Sequence, residues 1–171
     1  MRLILFIFIL ASTVPFTGNS QTVNEFEIKA VFIYNFTQFI QWPKESFDKS
    51  QDDFVIGVLG ENVFGKSLEE AVAGEMYHSR KIVVKYFETV KDVGNCQILY
   101  VGSLTNGSKI DIDRPVLTIG ERPEFMEQNG LMRFYNEGNK VRIEINQSAA
   151  SKAGLVISSK LLRLATIYKE K

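Results

Sequence analysis

The sequence predicts an α/β fold: a single three-layer domain with a mostly parallel central sheet, helices on both faces, and a C-terminal β-hairpin followed by a helix. Three observations carry that prediction. Apolar runs of strand length, Phe54 to Leu59, Ile82 to Phe87, Gln97 to Val101 and Val116 to Ile119, are separated by longer intervening segments, and continuous apolar strands belong to parallel sheets covered on both faces. Two later runs, Leu131 to Tyr135 and Val141 to Ile145, flank Asn136-Glu137-Gly138-Asn139, which reads as a hairpin turn. The chain has 171 residues, 45% hydrophobic and 23% charged, which is enough to bury one core and too apolar for disorder.

Taken in order, residues 1–20 read as a secretory signal peptide: Met1-Arg2 gives a positive start, Leu3 to Leu10 is apolar, and Pro15 and Gly18 break the run before a cut after Ser20. The alternative, a retained membrane anchor, is disfavoured because the run is too short for roughly 30 Å of hydrocarbon. Residues 21–171 then form the α/β domain. Asn24 and Glu27 make a capping box, Glu25 and Lys29 are spaced to pair across one turn, and a helix runs from Asn24 to Ile40. Phe26, Ala30, Ile33 and Ile40 form one apolar stripe, and Phe32, Phe36 and Phe39 form a second. Such a helix must be covered on two sides. Trp42-Pro43 ends it, because the residue before proline is pushed out of the helical region.

A polar loop from Lys44 to Asp53 leads into the first strand, which Gly60 closes, and a helix follows over Val63 to Val72. In the hairpin's second arm Val141, Ile143 and Ile145 alternate with Arg142, Glu144 and Asn146, so one face meets solvent. Ser158 to Ile167 reads as a closing helix with a broad apolar face.

The chemistry on offer is sparse. Twenty basic and twenty acidic side chains cancel, with no basic block, which removes the electrostatic footprint of a nucleic-acid-binding protein. The one cysteine, Cys96, forbids an intrachain disulfide; it reads as a small core residue or, alternatively, as a thiol that pairs between chains. The one histidine, His78, forbids a three-histidine zinc site and sits in a polar turn. Neither a GxSxG nor an HExxH occurs, and Asp52-Asp53, Glu69-Glu70, Asp111 and Asp113 read as solvated surface. No catalytic residue, metal ligand or cofactor is expected.

One motif offers an alternative. Gly60-Glu61-Asn62-Val63-Phe64-Gly65-Lys66-Ser67 fits the phosphate-loop formula between a strand and a helix, with Gly60, Gly65, Lys66 and Ser67 as the phosphate- and magnesium-binding positions. Glu61 beside a phosphate, the bulk of Val63 and Phe64, and the lack of a strand ending in a metal-binding aspartate count against it. A strand-to-helix turn in which Ser67 caps the helix with Glu70 explains the same letters.

Phe26-Glu27-Ile28-Lys29-Ala30-Val31-Phe32-Ile33-Tyr34-Asn35-Phe36, closed by Phe39, Trp42 and Pro43, resembles the opening signature of the YfiR-like family (YfiR/HmsC type) of bacterial periplasmic proteins. Val58-Leu59-Gly60 with Phe64-Gly65, Cys96 to Val101, and Asn139 to Asn146 running on to Ala165 fit it in the same order. The resemblance implies a non-catalytic protein of the Gram-negative periplasm that represses a membrane-bound diguanylate cyclase through its periplasmic part, so that release raises cyclic-di-GMP and favours biofilm. It also implies self-association as a homodimer. Some relatives carry disulfides under redox control, which this chain's single cysteine rules out. The partner expected is thus the periplasmic domain of an inner-membrane signalling protein, with neither nucleic acid nor stable membrane insertion.

The first helix and the last carry more apolar circumference than one sheet covers, so part of Phe32, Tyr34, Phe36, Phe39, Leu161, Leu162 and Leu164 is expected on a partner or dimer surface. A periplasmic small-molecule sensor is the alternative function, with its site at the strand ends near Gly60, Gly102 and Gly120.

Overall fold

A computed structural model describes residues 25–47, 52–102, 112 and 114–170. The signal-peptide segment, Asn24, Asp111 and Asp113 lie outside those residues. In chain order the elements are α1 (Glu25–Phe39), β1 (Ile40–Gln41), β2 (Phe54–Leu59), α2 (Ser67–Val72), β3 (Met76–Tyr77), β4 (Arg80–Phe87), β5 (Ile98–Val101), β6 (Leu117–Gly120), α3 (Pro123–Glu127), β7 (Met132–Glu137), β8 (Lys140–Ile145), α4 (Gln147–Lys152), β9 (Val156–Ile157), α5 (Ser159–Leu162) and β10 (Thr166–Ile167).

Eight strands form one sheet in the order β10-β8-β7-β6-β5-β2-β4-β3, and only β7 with β8 and β3 with β4 run antiparallel. The sheet is therefore mostly parallel, as the unbroken apolar runs predict: β2, β5 and β6 are buried at every position. α1 lies over one face, where Ile33, Phe36, Ile56, Tyr100, Ile119 and Phe134 belong to the main core. The opposite face holds a smaller cluster of Val55, Leu59, Cys96, Leu99, Val101 and Val116. Its cover includes Val90 and Val93 near a short 3-10 turn, and Phe125 of α3.

Gln97 fastens the start of the sheet. Its side chain accepts from the Val55 N–H at 2.7 Å and donates to the Ser46 carbonyl at 2.6 Å, while its own carbonyl accepts from the Trp42 indole at 2.9 Å and the Leu117 N–H at 2.8 Å. A buried amide is retained at low cost when all its polar atoms are bonded. α1 stops at Phe39, ahead of Trp42-Pro43, because Ile40–Gln41 pair with β9, and Trp42 serves instead as a docking point for the chain that leaves the helix.

Three local expectations need correction. The helix expected from Val63 begins at Ser67, because residues 63–66 form a turn; Lys66 holds the cap position without a side-chain bond, so Ser67 is not the cap. The helix expected from Ser158 to Ile167 stops at Leu162. Thr166 and Ile167 are β-branched and pair with Glu144 and Ile145 at the sheet edge; the Tyr168 N–H reaches the Ile145 carbonyl at 2.8 Å. Free carbonyls on an edge strand outweigh the helical spacing of a short segment. The hairpin turn shrinks to Gly138-Asn139, since Asn136 and Glu137 pair with Val141 and Lys140, and Gly138 takes φ +59°.

Candidate functional site

α1, β8 and α5 enclose a groove of about 320 Å³. α1 lines it with Phe32, Asn35, Phe36 and Phe39, one helical face at the expected spacing, and β8 with Val141, Arg142 and Ile143. Leu161 and Leu164 complete it. Phe36 and Leu161 are buried at the floor, whereas Leu164 is 76% exposed at the rim. The Phe32 and Phe36 rings each lie 6.1 Å from that of Phe134, which ties the α1 wall to β7.

Five of the seven residues that the apolar circumference singled out therefore meet here: Phe32, Phe36, Phe39, Leu161 and Leu164. Tyr34 does not line the groove; its hydroxyl donates to Glu75 at 2.6 Å, and that bond raises the pKa of the phenol above its ordinary value. Leu162 packs half-buried against the core. Sequence reasoning missed Asn35, Val141, Arg142 and Ile143, although the alternation along β8 already put Val141 and Ile143 on one face. The Asn35 amide makes no hydrogen bond among the described residues, and the exposed Arg142 pairs with Glu137 at 3.0 Å. Groove chemistry is thus apolar contact with polar edges.

A second constellation lies toward the start of α1. Lys29 is buried, and its ammonium meets Glu25 at 2.5 Å and Glu121 at 2.6 Å while lying 4.9 Å from the Phe26 ring centre. The Tyr100 hydroxyl donates to Glu121 at 2.5 Å, and Asn136 donates to Glu25 at 3.1 Å. Burial, then the bond to Glu121, pushes the Tyr100 pKa up. The hydrogen bond from Lys29 holds the Glu25 carboxyl below its usual range, against a smaller opposing effect of burial. One buried cation thus joins α1 to the carboxyl ends of β5 and β6. The expected pairing of Glu25 with Lys29 is present, but its extension to Glu121 spans 92 positions and no local spacing could reveal it.

The phosphate-loop motif forms a turn filled by its own side chain. Phe64 is buried with its ring 4.8 Å from that of Tyr100 and 6.1 Å from that of Phe26. The N–H groups of Gly60, Val63, Phe64 and Ser67 donate to Phe87, Glu61, Asn62 and Phe64 respectively, so a phosphate would have to displace bonds already made. Lys66 is exposed, and α2 has six residues. The strand end at Gly120 is filled as well, since a Cβ there would come within 2.6 Å of the Phe125 ring.

His78 is exposed in the turn between β3 and β4 at φ +52°. Cys96 is buried, and desolvation pushes its thiol up to about 11, the opposite of an activated nucleophile. Among the described residues no group of three His, Cys, Asp or Glu could hold a metal ion, and no helix is long and apolar enough to cross a membrane.

A family model described as YfiR/HmsC-like matches residues 26–166. Among solved structures, the chain is similar to the crystal structure of a conserved domain protein from Vibrio cholerae O1 biovar El Tor strain N16961, at 13% identity and a TM-score of 0.52. The match covers 86% of this chain and 61% of that one, so the chain spans less than two thirds of that protein, and at this identity the likeness shows the fold alone. No curated protein matches.

Proposed function

We infer from the family to which this chain belongs, the YfiR/HmsC-like family, that it is a non-catalytic regulatory binding protein acting by contact with another protein. The observation that carries the reading is the groove between α1, β8 and α5, where a 76% exposed leucine stands beside an aromatic-lined hollow. Exposed apolar surface next to a concavity is the form that interface anchors take. Covering Leu164 alone contributes about 1.5–3 kcal/mol to an association.

In this reading residues 1–20 direct export to the periplasm, and the partner is the periplasmic domain of an inner-membrane signalling enzyme of the diguanylate cyclase type, held inactive while the groove is occupied. A homodimer would compete for the same patch. Small-molecule binding is the second reading, since the groove volume lies at the lower end of the range for ligand pockets.

The test is repression in cells that lack the native protein, read as cyclic-di-GMP, together with pull-down of the periplasmic domain of a membrane-bound diguanylate cyclase from the same cells. Wild-type protein is expected to bind that domain and lower cyclic-di-GMP, and Leu164→Ser to do neither while folding normally. Full activity of Leu164→Ser in both assays overturns the assignment of the groove.

A further inference from the structure

We propose that the groove receives an extended segment of a partner protein, which joins the sheet as a strand along the free edge of β8; the inference rests on the reading of the groove as a protein-contact surface. β8 has six residues, and β7 pairs with all of them. On its other side β10 pairs with Glu144 and Ile145 alone. Successive residues of a strand turn their backbone groups to opposite neighbours, and two bonds fix which residues face which way here. The Asn146 N–H goes to the Leu131 carbonyl at 2.9 Å, on the β7 side, whereas the Ile145 carbonyl accepts from the Tyr168 N–H at 2.8 Å, on the β10 side. Val141 and Ile143 therefore face outward with Ile145. Outward pairing starts where Thr166 meets Glu144, so the Val141 N–H and carbonyl and the Ile143 N–H have no backbone partner among the described residues.

Those backbone groups belong to the groove. Val141 and Ile143 line it from β8, together with Phe32, Phe36 and Phe39 of α1 and with Leu161 and Leu164. An unpaired strand edge is a template for pairing with another chain, and here it lies beside an apolar hollow. An extended peptide completes both features, with its main chain bonded to the edge and every second side chain turned into the hollow. The chain already uses the same edge in this way, since Thr166 and Ile167 of β10 lie along Glu144 and Ile145. The open stretch from Lys140 to Ile143 spans about 13 Å at roughly 3.3 Å per residue, which is room for about four residues of partner strand. A helix in the groove would fill the hollow but leave the edge amides unpaired, because its own backbone bonds are internal.

The test uses the full chain and the purified periplasmic domain of the diguanylate cyclase, with amide hydrogen exchange read by NMR and affinity by calorimetry. In the chain alone the Val141 and Ile143 amides are expected to exchange faster than that of Arg142, which faces β7. In the complex they are expected to slow at least about tenfold. Val141→Pro removes an outward N–H and spares the bonds to β7, a position where an edge strand accepts proline. It is expected to keep the melting temperature and to bind at least about tenfold more weakly. Val141→Ala keeps the amide and is expected to lose less. Unchanged exchange in the complex overturns the proposal and means that the partner docks through side chains alone, as a helix would. Wild-type affinity of Val141→Pro, or equal losses for the two variants, overturns it too. So does protection of the two amides in the chain alone that rises with its concentration, which places a second copy on the edge. If Val141→Pro unfolds, the exchange measurement decides by itself. If strand addition fails while Leu164→Ser still loses binding, only the mode of docking is wrong and the contact surface stands. If wild type does not bind the domain, or Leu164→Ser binds it equally well, the parent reading falls and this inference with it.

Discussion

Every residue of β2, β5 and β6 is buried, whereas β8 alternates between covered and open positions and both residues of β10 are exposed. The same sheet thus has a middle sealed on both faces and an edge with one side left wet. In the middle, side chains are held by neighbours above and below, so a change there is felt as lost packing. At the edge, Leu164 remains exposed beside a groove whose floor belongs to the core, and Ile167 of β10 is exposed as well. The middle supplies stability and the edge supplies surface; the floor residues Phe36 and Leu161 belong to both.

The largest expected effect tests the sealed middle. Phe54 opens β2 with its ring 4.7 Å from that of Tyr77 and 4.9 Å from that of Trp42, and it is fully buried. Phe54→Ala removes most of an aromatic side chain from a close-packed site and is expected to cost about 3–5 kcal/mol in urea unfolding. A loss under about 1 kcal/mol would mean that the middle packs no better than the edge.

A smaller effect tests what ties the two regions together. Lys29 joins α1 to Glu121 at the end of β6, while its other partner, Glu25, accepts from Asn136 of β7. Because Lys29 depresses the Glu25 pKa, the linkage favours the folded state above the unfolded value near 4.5 and is lost as pH falls through the folded value. Thermal unfolding followed from about pH 6 to pH 3 should therefore show a stability loss on the acid side that is reduced in Lys29→Met. That variant removes the cation shared by Glu25 and Glu121 and leaves both carboxylates without it, so it is expected to lose stability at neutral pH as well. An unchanged acid limb in Lys29→Met would remove the ion cluster from the account.

What could be read from the chain follows the same division. Phe54 to Leu59 matches β2 residue for residue, because a strand buried on both faces writes an uninterrupted apolar run. Phe32, Phe36 and Phe39 announced a second face of α1 because a helix keeps its period whatever covers it. The edge was harder. Ser158 to Ile167 has helical spacing, yet its last residues form β10, and only the unpaired side of β8, far away in sequence, decides that. Local spacing pairs Lys29 with Glu25 alone, whereas Glu121 and the Phe26 ring also enclose it. In the phosphate-loop motif, the letters permitted a cradle that the burial of Phe64 fills. The β10 and Lys29 misses each depend on a contact distant in sequence, which no periodicity encodes, whereas the late start of α2 and the tighter hairpin turn are local.

The smallest expected stability effect is the sharpest test of the edge. Leu161 and Leu164 line one groove three residues apart, but Leu161 is 4% exposed and Leu164 is 76% exposed. Leu161→Ala would open a void under the groove and is expected to cost about 2–5 kcal/mol. Leu164→Ser loses little burial, because its side chain already meets water, so its cost in urea unfolding is expected to stay within about 0.5 kcal/mol. Stability and recognition separate cleanly only if that near-silent change still abolishes partner binding. A Leu164→Ser protein that unfolds like wild type but fails in the pull-down places Leu164 in the contact surface. One that loses several kcal/mol would instead make the leucine a structural seal over Leu161, and the groove would belong to the core rather than to a partner.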